Sequence, residues 1–233
     1  MPRLERKHSL ITRLTHWANV PILAGMIWSG LLIYWANDVY AIRFRGHVLV
    51  KFFPDWFYDR FGIGRKLADG MAWHFAFMWL FAINGLLYVV YTLYSGDWRH
   101  LVPNRASFGE AYRVVLHDLY IDRSPLPRRK YNGAQRLAYT GVIAMGLGSL
   151  LTGLAIYKPV QLAWLARGLG GYQAARLEHF ALTLLYVAFF VVHIVQVVKS
   201  GWNHARSMII GVELTPDGEP SYDEAERSAA ASR

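Results

Sequence analysis

The chain has 233 residues and no cysteine; it is 54% hydrophobic and only 18% charged, against about 25% charged in an ordinary soluble domain. The deficit is concentrated in four runs, 14–37, 70–96, 137–157 and 180–198, that contain no Asp, Glu, Lys or Arg, and a membrane-spanning helix needs roughly 20 apolar residues. A soluble enzyme is thereby excluded, and the missing thiols exclude disulfides, Cys-bound zinc, protein-held iron–sulfur clusters and covalent CxxCH haem. The net charge of +9 lies in residues that flank the apolar runs, where it anchors loops at headgroups. It implies no nucleic-acid partner.

In chain order, the basic leader carries Arg3, Arg6, Lys7 and Arg13. The apolar run after it is too long for a signal peptide and ends in no small-x-small site, so it reads as a retained first span. The aromatic loop 38–69 contains FFPDWFYDRF and is expected at the membrane interface. After the second span, Ser107 and Glu110 form a capping-box pattern, and Phe108, Ala111, Tyr112, Val115 and Leu119 follow at helical spacing. This predicts an amphipathic helix on the inner membrane surface. Both loops serve either as anchors or as docking surfaces. Spans are predicted at about 14–37, 71–95, 135–157 and 178–199, within a membrane domain 1–212, and 213–233 as a disordered polar tail.

Four spans put both termini on one side. The leader and the cluster Arg128, Arg129, Lys130 and Arg136 favour that side being the cytoplasm. Arg43, Arg45, Lys51, Arg60, Arg65 and Lys66 in the first outer loop oppose this, partly offset by Asp38, Asp55, Asp59 and Asp69.

Of nine histidines, His16, His74, His179 and His193 belong to the apolar spans. Ionisable groups there are costly and usually functional, although a single histidine at a span end is commonly interfacial. His179 and His193 are 14 residues apart, about 40° short of four helical turns and ~21 Å along the axis. They share one helix face at two depths. Chain direction then pairs His16 with His193 at the inner depth and His74 with His179 at the outer. Two such pairs suit two bis-histidine haems, which leave no open iron position and so favour electron transfer. Arg13, Arg136 and Arg176 are candidate propionate partners, with snorkelling as the plainer reading. Gly141, Ala144, Gly146, Gly148, Ser149 and Gly153 admit either a haem or another helix. His8, His47, His100, His117 and His204 read as surface residues. No HExxH, phosphate loop, nucleophile elbow or Rossmann fingerprint is present.

With its four histidines and the run Lys130-Tyr131-Asn132-Gly133-Ala134-Gln135, the chain resembles the membrane dihaem b-type cytochrome subunits of bacterial respiratory complexes. These include the formate dehydrogenase gamma subunit and the cytochrome subunits of nickel–iron hydrogenase and thiosulfate reductase. The resemblance covers about residues 8–205. It implies an all-α, four-transmembrane-helix bundle with interfacial helices in its loops, holding two haem b in the inner membrane. Its iron ligands would be His16 with His193 and His74 with His179, with a quinone near Asn132 and Gln135, although Asn is also a preferred helix N-cap. The implied role is an electron-transfer subunit between the quinone pool and a periplasmic catalytic or electron-transfer partner, expected to be a molybdenum enzyme, with a homo-oligomer of the complex allowed. The long outer loop and the 97–130 insertion depart from the family pattern and put the partner's identity in question. Two other readings stand beside it: a stand-alone dihaem quinone reductase oxidising a small reductant such as superoxide, and a haem-free anchor.

Overall fold

The computed structural model describes residues 3–35, 41–124, 130–222 and 224. Asp38, Arg128 and Arg129 of the charge clusters, and 223 and 225–233 of the expected tail, lie outside them.

The element order is β1 (Arg3–Arg6), α1 (Leu10–Tyr34), β2 (Ala41–Phe44), β3 (His47–Lys51), α2 (Asp55–Phe61), α3 (Leu67–Ser95), α4 (Trp98–Leu101), α5 (Arg105–Asp118), α6 (Gly133–Tyr157), α7 (Ala163–Gly168), α8 (Tyr172–Ile210) and β4 (Val212–Thr215). By length and composition α1, α3, α6 and α8 are the helices able to cross a membrane among the described residues. Each begins before its predicted span. Ser9 caps α1 by accepting from the Thr12 amide, so the helix starts at Leu10 and carries Arg13 within it. Likewise α8 begins at Tyr172 and includes Arg176 and Glu178. A charge-free run marks the apolar core of a helix, whereas its ends continue into the polar interface.

The helices associate in pairs, α1 with α3 and α6 with α8, and α5 lies against α6. Small residues set the crossings. A Cβ on Gly70 would sit 2.7 Å from Leu32 Cβ, and one on Gly133 would collide with the Ser107 carbonyl oxygen. The mid-bundle core is Ile22, Phe81 and Tyr186, with Met26, Val142 and Met145 against it.

Three sequence expectations need correction. The capping box of α5 is Asn104 with Ser107, one turn before the expected Ser107–Glu110 pair: Asn104 Oδ1 accepts from the Ser107 amide and Ser107 Oγ from the Asn104 amide. Ser107 and Glu110 instead face α6 and are buried, while Phe108, Tyr112, Val115 and Leu119 project away from the protein. The polar tail is ordered at its start. Strand β4 pairs antiparallel with β1, Arg3 opposite Thr215 and Arg6 opposite Val212, and the Tyr222 amide donates to Glu5 Oε1. Composition suggested disorder, but a partner strand at the far end of the chain satisfies this backbone. Third, His8 is buried rather than on the surface, at 8% exposure.

The helical ladder of α8 breaks at Gly201 (φ 79°, ψ 170°), a conformation that only glycine adopts without strain. Beyond the break, Met208 accepts a hydrogen bond from Trp17 Nε1 of α1 at 2.9 Å. On the other side of the bundle, β2 and β3 form a hairpin, and Phe52 and Phe53 pack near Phe180 and Tyr34.

Candidate functional site

The four span histidines meet in two pairs. His74 of α3 and His179 of α8 have ring centres 6.2 Å apart at 73°. His16 of α1 and His193 of α8 have centres 6.0 Å apart at 59°. Tyr186 stands seven residues from each α8 histidine, and its edge-to-face contact with Phe81 (6.4 Å) separates the pairs.

The His74–His179 pair is held by hydroxyls. Ser29 Oγ lies 3.0 Å from His74 Nδ1, and Thr152 Oγ1 lies 2.9 Å from His179 Nδ1. Gly30 and Gly153 leave room for the rings: a Cβ there would fall 3.7 Å from His74 Cε1 and 3.3 Å from His179 Cε1. The His16–His193 pair is held by aromatic packing. Phe189 stacks on His193 with ring centres 5.8 Å apart at 13°, and Trp17 meets His16 edge-on. His16 Nδ1 is buried without a hydrogen-bond partner among the described residues.

Two imidazoles on opposite sides of one metal ion, each bonded at about 2 Å and with roughly 1 Å more to its ring centre, place those centres about 6 Å apart. Both pairs meet this spacing. Among the described residues no group of three or more His, Cys, Asp or Glu could hold a bare ion. A donor set of two nitrogens per site therefore fits a metal whose remaining ligands come from a macrocycle.

The arginines are engaged by the protein. Arg13 donates through Nη1 to the Ile209 carbonyl, and its Nε is buried without a hydrogen-bond partner among the described residues. Arg136 donates to the Arg99 and Val102 carbonyls, tying α6 to the end of α4. Arg176 donates to Gln173 Oε1 and lies over the Tyr172 ring. Asn132 and Gln135 form a reciprocal capping box at the start of α6: Asn132 Oδ1 accepts from the Gln135 amide at 2.9 Å, and Gln135 Oε1 from the Asn132 amide at 3.0 Å.

Sequence reasoning missed Ser29, Thr152 and Asn84. Asn84 Nδ2 donates to the Thr15 carbonyl and to Asn19 Oδ1, one residue before and three after His16. The available signal was their polarity inside apolar runs. It also missed the buried group beside the β1–β4 pair, where Lys7 Nζ contacts Glu213 Oε2 (2.7 Å), the Tyr222 hydroxyl and His204 Nδ1 (both 3.0 Å).

Residues 7–211 match the sequence profile of prokaryotic cytochrome b561. The chain belongs to that family. It is a membrane cytochrome that binds haem b and transfers electrons. Over 186 residues the cytochrome is 35% identical to a protein of Azospira oryzae named "Putative protein-methionine-sulfoxide reductase subunit YedZ1", covering 79% of this chain and 86% of that one.

Proposed function

We propose that this cytochrome holds two haem b groups, one between His74 and His179 and one between His16 and His193, and connects the quinone pool to an oxidoreductase partner outside the inner membrane. The observation that carries this reading is the pair of matched imidazole spacings, 6.2 and 6.0 Å, at the two ends of one helix face of α8. Bis-imidazole haem iron exchanges single electrons and has no open position for oxygen chemistry.

The protein's own residues then have defined tasks. Each histidine presents one ring nitrogen to its partner across the bundle, and the Ile22–Phe81–Tyr186 layer excludes water between the two sites. In this reading Arg13, with its buried Nε, Arg136 and Arg176 serve as propionate partners, since a guanidinium has five donors and each spends only some on the protein. The quinone binds at the inner end of α6 in this reading, where the Asn132 side-chain amide can donate to a quinone carbonyl.

The termini lie in the cytoplasm in this reading, and the β2–β3 hairpin, α2 and α7 face the partner in the periplasm. The resemblance suggests a molybdenum enzyme as partner. The name of the Azospira protein specifies a sulfoxide reductase subunit, which favours electrons running outward from quinol.

The test is haem counting with paired variants. Pyridine haemochrome analysis of the purified protein should give two haems per chain. His74→Ala and His179→Ala should lose the same spectral component, and His16→Ala and His193→Ala the other. One haem per chain, or His16 and His179 sharing a phenotype, would overturn the assignment.

A further inference from the structure

The end of α1 recurs at the end of α6. Ser29-Gly30-Leu31-Leu32-Ile33-Tyr34 corresponds to Thr152-Gly153-Leu154-Ala155-Ile156-Tyr157, and a glycine precedes each hydroxyl residue by four positions, Gly25 and Gly148. The triplet His74-Phe75-Ala76 of α3 recurs as His179-Phe180-Ala181 of α8.

The contacts recur with the residues. Each hydroxyl meets Nδ1 of the histidine in its own half. Each terminal tyrosine reaches into the other half: Tyr34 stacks on Phe180 with centres 4.9 Å apart, and Tyr157 packs on Phe75 at 4.6 Å. The α1–α3 and α6–α8 hairpins thus surround the outer pair as parallel repeats related by a pseudo-two-fold axis along the bundle. The relation ends at the inner pair. The same offsets carry His16 onto Tyr139 and His193 onto Tyr88, and His16 Nδ1 has no hydrogen-bond partner among the described residues.

The hydroxyl protons are already committed. Ser29 Oγ donates to the Gly25 carbonyl at 2.6 Å, with the Met26 carbonyl at 3.1 Å. Thr152 Oγ1 donates to the Gly148 carbonyl at 2.7 Å, with the Ser149 carbonyl at 3.3 Å. A hydroxyl has one proton and two acceptor lone pairs, so toward histidine each oxygen accepts. Nδ1 of both His74 and His179 therefore carries the proton, and Nε2 is left with a lone pair.

We infer that Ser29 and Thr152 are a symmetric pair of positioning residues that fix the outer imidazoles in the Nδ1–H tautomer and lower the reduction potential of the outer haem. The inference rests on the reading of His74 and His179 as haem ligands. The physical reason is ligand basicity. Donating Nδ1–H to an acceptor orients the ring and makes the coordinating nitrogen more basic, which favours ferric over ferrous iron. The side-chain contacts of the inner pair are ring packing, which supplies no comparable acceptor.

The experiment uses the full-length haem-loaded protein in detergent, with Ser29→Ala, Thr152→Val and the double variant. Haem content, a spectroelectrochemical titration and the low-temperature EPR spectrum of the oxidised protein are read for each. One haem component should move to higher potential in each single variant and further in the double, with altered g-values. The other should stay in place, and Ser29→Thr and Thr152→Ser should behave as the parent. Unchanged potentials and g-values in a double variant with full haem content would overturn the inference. If a variant sheds haem, restored loading in Ser29→Thr or Thr152→Ser supports the inference, and failure to restore it counts against it. Parental haem content in His74→Ala and His179→Ala would instead remove the ligand assignment itself, a separate failure.

Discussion

His8 lies stacked on Tyr131, with ring centres 6.3 Å apart and 28° from parallel, and its Nδ1 is 3.5 Å from the phenol oxygen. The contact joins the residue run before α1 to the one before α6. Burial, followed by the neighbouring Lys7 charge and smaller effects of His204 and Lys130, lowers the His8 pKa to about 3, against a small opposing effect of Glu213. Burial also pushes the Tyr131 phenol up, so it stays protonated.

The depressed His8 pKa sets a pH dependence. The unfolded chain binds this proton near pH 6.5 while the folded one resists it to about pH 3, so the neutral ring stabilises the fold above pH 6.5 and the benefit declines as pH falls toward 3. At pH 5 the loss is about 2 kcal/mol. Thermal melts of the purified protein between pH 7.5 and 4.5 should show a falling midpoint, with a shallower slope in His8→Gln. Equal slopes would mean that another group controls the acid limb.

Lys7 is a buried cation, its side chain 2% exposed, paired with Glu213 at 2.7 Å. Removing one partner of such a pair costs about 3–5 kcal/mol because the other charge is stranded. Lys7→Met should therefore lower thermal stability strongly, and Lys7→Met with Glu213→Leu should recover much of the loss. A double variant as unstable as the single would show that Tyr222 and His204, not the ion pair, carry the contact.

Asn132→Ala separates two roles. Loss of the cap costs about 1 kcal/mol and leaves redox behaviour intact, whereas loss of a quinone contact leaves stability nearly intact and blocks electron exchange. Stopped-flow oxidation of a quinol analogue by the haem-loaded variant should fall at least tenfold while both haem spectra persist. Normal turnover would leave Asn132 as a cap alone.

The absence of cysteine permits a direct test of orientation. Val48→Cys on β3 should react with a membrane-impermeant maleimide in spheroplasts. Asp217→Cys, exposed beyond β4, should react only after lysis. The reverse pattern would invert the proposed topology.

The four apolar helices were legible because water and lipid select side chains over 20-residue lengths, a signal that survives local detail. The approach of His16 to His193 and of His74 to His179 was legible for a related reason: helical rise and chain direction fix depth. Other features depend on residues far apart in sequence. The burial of His8 requires Tyr131, and the ordering of Val212–Thr215 requires Arg3–Arg6. The α5 cap was misplaced because Asn104-x-x-Ser107 and Ser107-x-x-Glu110 overlap, and only packing against α6 decides between them. Ser29 and Thr152 carry no sequence signal of their own, because a lone hydroxyl in an apolar helix usually bonds its own backbone, which these also do.

The β1–β4 pairing joins the beginning of the described chain to its end, and this constrains the order of events during synthesis. Strand β1 leaves the ribosome about 200 residues before β4, ~10–40 s earlier at about 5–20 residues per second. Throughout that interval Lys7, which ends up buried against Glu213, has no partner strand beside it and remains in contact with water or headgroups. Insertion of α1, α3, α6 and α8 must therefore proceed without the clasp. Its closure, which also seats Gly211 against the His8 backbone, must await synthesis of Val212–Thr215, and a nascent chain truncated before Val212 would leave that end of the bundle open.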